Sequence, residues 1–98
     1  MRSDKTIQQF TTLFSALADP TRAKMLLLLR NGEKRSGDLA AELQMTASAV
    51  SHQLRWLREN NVVTSRKKGR EVYYHLADAC IREIIDVALK HIQEGRHD

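Results

Sequence analysis

The stretch Thr46-Ala-Ser-Ala-Val-Ser-His-Gln-Leu-Arg-Trp-Leu-Arg-Glu59 reads as one helix with two faces. Ala47, Val50, Leu54 and Leu57 recur at three- and four-residue spacings, which is one stripe of a 3.6-residue helix and predicts a face turned to a core. Ser48, Ser51, His52, Arg55 and Arg58 fall largely on the other side. Their hydroxyls, imidazole and guanidinium groups are donors and acceptors suited to base edges and phosphate oxygens. Thr46 suits the N-cap, where its hydroxyl accepts from an orphan amide one turn in. Taken alone, the segment reads equally well as an amphipathic helix with a solvated polar face.

Its neighbours tip that balance. Ser36-Gly-Asp-Leu-Ala-Ala-Glu-Leu43 has a cap-like Ser36 and apolar Leu39, Ala40 and Leu43, which predicts a short helix. Gln44-Met45-Thr46 is then a tight connection, and two helices so close in sequence form a helix-turn-helix. Downstream, Asn61-Val-Val-Thr-Ser-Arg-Lys-Lys-Gly-Arg-Glu-Val-Tyr-Tyr-His-Leu76 alternates Val72, Tyr74 and Leu76 with Tyr73 and His75. Gly69 sits where a hairpin needs positive φ. The expected product is a β-hairpin whose tip carries Arg66, Lys67, Lys68 and Arg70. The fold class is therefore mainly α with a β-hairpin wing, a winged helix-turn-helix.

Charge placement agrees. Between Thr46 and Leu76, six basic residues (Arg55, Arg58, Arg66, Lys67, Lys68 and Arg70) stand against Glu59 and Glu71, while ten basic and ten acidic residues cancel elsewhere. The whole net charge of +4 thus lies on the proposed reading helix and wing. That is the electrostatic footprint of a nucleic-acid binder. A membrane-surface segment needs basic residues beside a strong apolar helical face, and the wing offers a hairpin instead.

The 98 residues suit a single domain over 1–98, and a domain so small leaves much surface unburied, so dimerisation is a natural remedy. With 42% hydrophobic and 29% charged residues the composition is that of an ordinary globular chain. No apolar run approaches bilayer length, and Met1-Arg-Ser-Asp-Lys-Thr6 lacks the apolar core of a secretion signal, so a cytoplasmic location is expected.

The remaining segments complete a helical body. From about Asp4 to Leu17, Ile7, Phe10, Leu13, Phe14 and Leu17 recur at helical spacing. Asp19 and Pro20 suit the cap and first position of a second helix. Met25 to Leu29 is apolar nearly all round, which predicts a central buried helix, and Asn31-Gly32 ends it. Glu33-Lys34-Arg35 is a short strand or loop. Asp78 opens a last helix with Ile81, Ile84, Ile85, Ala88, Leu89 and Ile92 on one stripe. That stripe packs on its own domain or, with the first helix, forms a dimer interface. Paired reading helices would suit half-sites about one DNA turn, roughly 34 Å, apart.

Four pieces in order carry a resemblance: Ala-Asp-Pro-Thr-Arg at 18–22, Gly-Asp-Leu-Ala at 37–40, Ser-Ala-Val-Ser-His-Gln-Leu at 48–54 and Lys-Gly-Arg-Glu-Val-Tyr-Tyr at 68–74. Together they resemble the ArsR/SmtB family of bacterial transcriptional repressors, over about Phe10 to Glu94. The resemblance implies a homodimer that represses an operator on double-stranded DNA and releases it when a metal ion or other inducer binds.

Two metal sites are familiar in that family. One places cysteines in a Glu-Leu-Cys-Val-Cys/Gly-Asp-Leu pattern; here Glu33 to Leu39 holds Arg35 and Gly37 at the cysteine positions, so that site is absent. A dithiol switch within one chain is also excluded, since Cys80 is the single cysteine. The other lies on the last helix, with Asp-x-His and then His-x-x-Glu or His-x-x-His eleven residues on. This chain has Asp78-Ala-Cys80 and His91-Ile-Gln-Glu94, departing only in Cys80 for His.

The resemblance thus implies metal ligands Asp78, Cys80, His91 and Glu94. Such a set suits tetrahedral Zn²⁺, with Cd²⁺ or Co²⁺ as substitutes and Ni²⁺ if His97 adds a ligand. The resemblance also suggests a route from the free nitrogen of His91 to a backbone carbonyl near Asn61. Cys80 and His91 are 11 positions apart, about 16 Å along a helix, so one chain cannot close the shell. Two antiparallel last helices across a dimer axis would bring the two ends together. Each residue also has a plainer reading: Asp78 as an N-cap, Cys80 as a small buried side chain, His91 and Glu94 as a solvated helix end.

The expected function is a metal-controlled repressor in which Thr46, Ser48, Ser51, His52, Gln53 and Arg55 face the major groove and Arg66, Lys67, Lys68 and Arg70 hold phosphate or minor groove. The alternative is a repressor of this type without a metal site, answering another signal. A protein-interaction module with an idle winged fold is a further rival. An enzyme is disfavoured: Gly32, Gly37, Gly69 and Gly95 form no phosphate-cradling loop, and Ser51-His52 lacks a third partner.

Overall fold

The computed structural model describes residues 3–95. Five helices and a three-stranded antiparallel sheet follow in the order α1 (Asp4–Ala18), α2 (Pro20–Arg30), β1 (Lys34–Arg35), α3 (Ser36–Leu43), α4 (Ala47–Glu59), β2 (Val63–Lys68), β3 (Glu71–Leu76) and α5 (Ala79–Glu94). Side-chain caps start four of the helices. Ser3 accepts from the Thr6 amide, Asp19 from Arg22, Thr46 from Ala49 and Asp78 from Ile81, each satisfying an otherwise orphan N–H.

Helix α3 begins differently from the expectation. Arg35, not Ser36, is its N-cap, and Asp38 reaches back to accept the Arg35 N–H at 3.4 Å. The carboxylate at the third helical position does the capping, so Ser36 is free to be the first helical residue.

The core is centred where α2, α3 and α4 meet the base of the hairpin: Met25, Leu26, Leu29, Leu39, Val50, Leu54, Leu57, Val62 and Val63 are buried. Of the four residues expected to face the core from α4, Val50, Leu54 and Leu57 are buried and Ala47, in the first turn, is exposed. Helix α2 is less enclosed than its composition suggests. Met25, Leu26 and Leu29 are buried, whereas Leu27 is 40% exposed, at the edge of an apolar groove shared with Ile84, Ala88 and Ile92 of α5.

The sheet order is β1-β3-β2, with Lys34 opposite Tyr74 and Arg35 opposite Tyr73, so the third strand braces the middle of β3. Burial along β3 falls from Leu76, which is buried, through half-buried Tyr74 to exposed Val72. Gly69 and Arg70 form the two-residue turn between the paired Lys68 and Glu71. Gly69 has φ 63°. Positive φ at the first central position alone is the signature of a type II′ turn, the hand that matches strand twist.

Helix α5 lies against the body through Ile81 and Ile85, an Arg30–Asp86 ion pair and a hydrogen bond from Arg82 to the Arg30 carbonyl at 2.8 Å. Its stripe is buried only in the first half, and Ile92 is 52% exposed. Val87 on α5 (60%) and Phe10 on α1 (61%) are equally open.

Candidate nucleic-acid interface and metal ligands

The turn between α3 and α4 is made by Gln44, whose φ of 55° is left-handed, and by Met45, whose N–H returns to the Ala40 carbonyl at 3.0 Å. This reversal lays α4 across α3 and turns its polar side outward. Thr46, Ser48, Ser51, His52 and Arg55 are all exposed there.

Gln53 differs from these. It is half-buried, and its Oε1 accepts a hydrogen bond from Arg22 Nε at 3.0 Å. The same guanidinium lies 3.7 Å from the centre of the Trp56 ring, a cation–π stack between α2 and α4. Because guanidinium only donates, the Gln53 oxygen must face Arg22, and the amide nitrogen is the end left for a ligand. Arg22 and Trp56 were not among the residues expected at this site. Their signal was faint: a cation just inside α2 and an aromatic on the edge of an otherwise polar face.

The wing presents Arg66, Lys67, Lys68 and Arg70, all exposed. They are not equivalent. Arg66 donates to Glu33 Oε1 at 2.8 Å and Lys68 to the same oxygen at 2.9 Å, while Lys67 points to the other face and Arg70 occupies the turn. The hydrogen bond from Lys68, opposed by partial desolvation and reinforced by Arg66, holds the Glu33 carboxyl below its ordinary range. Nearby, Arg35 donates from Nε and from one terminal nitrogen to Asp38 at 3.1 Å each and approaches Glu71 at 3.7 Å. This hydrogen bonding raises the pKa of Arg35 and lowers that of Asp38. An ion-pair cluster thus stands where the first family pattern would place cysteines.

At the start of α5, Asp78 is extended, with φ −162°, and its Oδ1 accepts the Ile81 amide at 2.9 Å. The second carboxylate oxygen is left over. Cys80 is a free, exposed thiol in the first turn, bordered by Phe14, Glu83, Ile84 and Val87. Exposure replaces the buried position that a purely structural cysteine favours. His91 and Glu94, exposed at the far end of α5, share a face at i and i+3. Neither side chain, nor that of Cys80, has a hydrogen-bonding or ionic partner among the described residues.

The structure places Asp78 with Cys80 at one end of α5 and His91 with Glu94 at the other, and it does not bring the two pairs together in one chain. Among the described residues of one chain no three such side chains cluster as a metal site. The expected link from His91 to Asn61 is likewise not formed within the chain: Asn61 is bordered by Lys5, Gln8 and Thr12 of α1, with His91 elsewhere. His97 lies outside the described residues. As donors, a thiolate, an imidazole and two carboxylates suit a divalent transition ion, and their accessibility fits ligation from outside the chain.

Residues 19–65 match the family described as "Bacterial regulatory protein, arsR family". Over 88 residues the chain is 45% identical to the transcriptional repressor SmtB homolog of Synechocystis sp., spanning 90% of this chain and 67% of that protein. The chain belongs to the arsR family. A second relative of this arsR-family chain is the cadmium resistance transcriptional regulatory protein CadC homolog of Staphylococcus aureus, 34% identical over 83 residues, 84% of this chain and 69% of that one. In three dimensions the chain is similar to the homodimeric winged helix-turn-helix DNA-binding domain Mb0332 of Mycobacterium bovis, with a TM-score of 0.83 and 26% identity over 99% of this chain and 96% of that one. The arsR-family chain is thus a winged helix-turn-helix transcriptional regulator and not an enzyme. None of its described helices is long and apolar enough to cross a membrane.

Proposed function

We propose that the chain is a cytoplasmic, homodimeric repressor whose hold on operator DNA is controlled by a transition-metal ion, with Zn²⁺ the first choice and Cd²⁺, Co²⁺ or Ni²⁺ as alternatives. One winged helix-turn-helix domain spans residues 1–98, and α1 and α5 form the dimer interface. Ser48, Ser51, His52, Arg55 and the amide nitrogen of Gln53 face the major groove, with Thr46 at the helix start. The wing cations Arg66, Lys67, Lys68 and Arg70 contact phosphate or minor groove.

The observation that carries the metal reading is the split donor set on α5. Cys80 stands about 16 Å along the helix from His91, with Asp78 and Glu94 farther apart still and all four accessible, so only a second, antiparallel copy completes a shell. Asp78 and Cys80 of each protomer are the donors that meet His91 and Glu94 of its partner, twice per dimer. The bound ion supplies a cross-link between protomers. The α5 pair then settles in one spacing, which moves the two reading helices off adjacent half-sites; couplings of this kind are typically about 1–3 kcal/mol. Kinship with a cadmium-resistance regulator supports the same chemistry.

The test is a Co²⁺ titration of the purified dimer. Two ions per dimer and thiolate-to-cobalt absorption are expected, both lost in Cys80→Ser, together with weaker operator binding when metal is present. A dimer without that absorption, indifferent on DNA to zinc, cobalt, cadmium and nickel, would leave a repressor that answers some other signal.

A further inference from the structure

Strand alternation places Arg66 and Lys68 on one face of β2 and Lys67 on the other. The shared face of Arg66 and Lys68 looks onto Glu33, which follows Gly32 and leads directly into β1. Its backbone is fixed there, because the next two residues, Lys34 and Arg35, pair with Tyr74 and Tyr73 of β3. The Glu33 side chain is the more enclosed partner, 27% exposed against 59% for Arg66 and 51% for Lys68. A single carboxylate oxygen takes both cations, at 2.8 and 2.9 Å, and Lys68 Nζ also lies 5.0 Å over the Tyr73 ring. An anion with two oxygens, anchored beneath two surface cations, presents the same chemistry as a backbone phosphate.

We propose that Glu33 is a specificity-determining residue: it occupies Arg66 and Lys68 in place of phosphate and withholds them from DNA that offers no better partner. The inference rests on the reading of the hairpin as a DNA-contacting wing. On a non-cognate duplex, only Lys67, Arg70 and the reading helix then supply wing-side and groove-side charge. Arg66 and Lys68 join only where the fit of α4 in the groove sets a phosphate close enough to displace the carboxylate. Non-specific affinity is held down while the cations remain in reserve.

The experiment follows the salt dependence of the full dimer on a 20-base-pair duplex of random sequence, by fluorescence anisotropy. Each phosphate contact steepens the plot of log affinity against log salt by about 0.9 per contact, so Glu33→Gln should steepen it by roughly one to two per wing and tighten binding several-fold. The steepening should vanish in Glu33→Gln/Arg66→Gln/Lys68→Gln, which has neither cations to release nor a stranded carboxylate, and its slope should match wild type. Lys67→Gln/Arg70→Gln should flatten it. Thermal melting by circular dichroism checks that each variant is folded. A flattened slope in Lys67→Gln/Arg70→Gln with no change in Glu33→Gln overturns the role of Glu33 alone. No change in any of the three removes the wing from DNA and the proposal with it. Weaker binding in folded Glu33→Gln, or a steepening that persists when Arg66 and Lys68 are also removed, overturns it as well.

Discussion

Arg22 and Gln53, 31 residues apart in sequence, are joined by a 3.0 Å hydrogen bond that fixes the amide of a reading-helix residue from the helix behind it. The same guanidinium stacks on Trp56, the only tryptophan. Half-buried stacks of this kind contribute about 0.5–2 kcal/mol, and a planar guanidinium is not replaced by an ammonium. Arg22→Ala and Arg22→Lys should therefore both lower the urea midpoint at fixed protein concentration and shift the Trp56 emission. Both should also weaken operator binding by freeing the Gln53 amide to rotate. A Lys variant equal to wild type in all three readouts would show that the stack contributes nothing.

Asp78 is assigned two tasks that substitutions can separate. One oxygen caps α5 through the Ile81 amide, and the other is left for a ligand. Asp78→Asn keeps a capping oxygen and removes the charge, so thermal stability without metal should change by only a few tenths of a kcal/mol while Co²⁺ affinity falls by tenfold or more. Asp78→Ala should lose about 1 kcal/mol of stability in addition. Equal metal affinity in wild type and Asp78→Asn, by titration, would return Asp78 to a capping role alone.

How far the residues themselves revealed this arrangement depends on the range over which each contact acts. The cap at Thr46, the turn at Gly69, the apolar stripe Val50-Leu54-Leu57 and the family-type spacing of Asp78 to Glu94 are local patterns, visible within a few turns of chain. The Glu33 clamp on Arg66 and Lys68, and the Arg22 hold on Gln53, join residues 31 to 35 positions apart and leave no periodicity to read. Ser36 looked like a cap because hydroxyls often are, but the Asp38 carboxylate one turn on offered the Arg35 amide a charged acceptor. An apolar stripe also does not say what covers it. Leu27 lies in an apolar run that read as central core and Ile92 on a stripe that read as core or dimer face, and both are exposed in the single chain.

Acid should weaken the fold through the two carboxyls whose proton affinity is depressed. Lys68 and Arg66 lower the pKa of Glu33 from its ordinary 4.5, and Arg35 lowers that of Asp38 from 3.8. Each binds protons less readily folded than unfolded, so its stabilisation is complete above the ordinary value and fades as pH falls through the folded one. The melting temperature should be insensitive to these groups at neutral pH and drop below about pH 4.5. Asp38→Asn, with its exposed pair to Arg35 removed, should show a shallower fall than wild type between pH 5 and 3 by calorimetry. Parallel profiles would mean that the Arg35 cluster adds nothing to folding.

Phe10 on α1 and Val87 on α5, 61% and 60% exposed, test the assembly on which a shared metal shell depends. Large apolar side chains left open on two neighbouring helices are what the proposed α1–α5 interface would bury. Full burial of a Phe or Val side chain stabilises by about 1.5–3 kcal/mol, and two-fold symmetry counts each residue twice. Placing a charge in such a contact adds desolvation to the loss, so Phe10→Glu/Val87→Glu should weaken association by about 4 kcal/mol or more, roughly a thousandfold in Kd. Sedimentation velocity at micromolar protein should then give the 11.2 kDa mass of a single chain instead of its double. The same variant should lose cobalt–thiolate absorption even though every ligand is intact, because Cys80 and His91 no longer meet across the axis. A folded double variant that stays dimeric and still absorbs would move the interface away from α1 and α5.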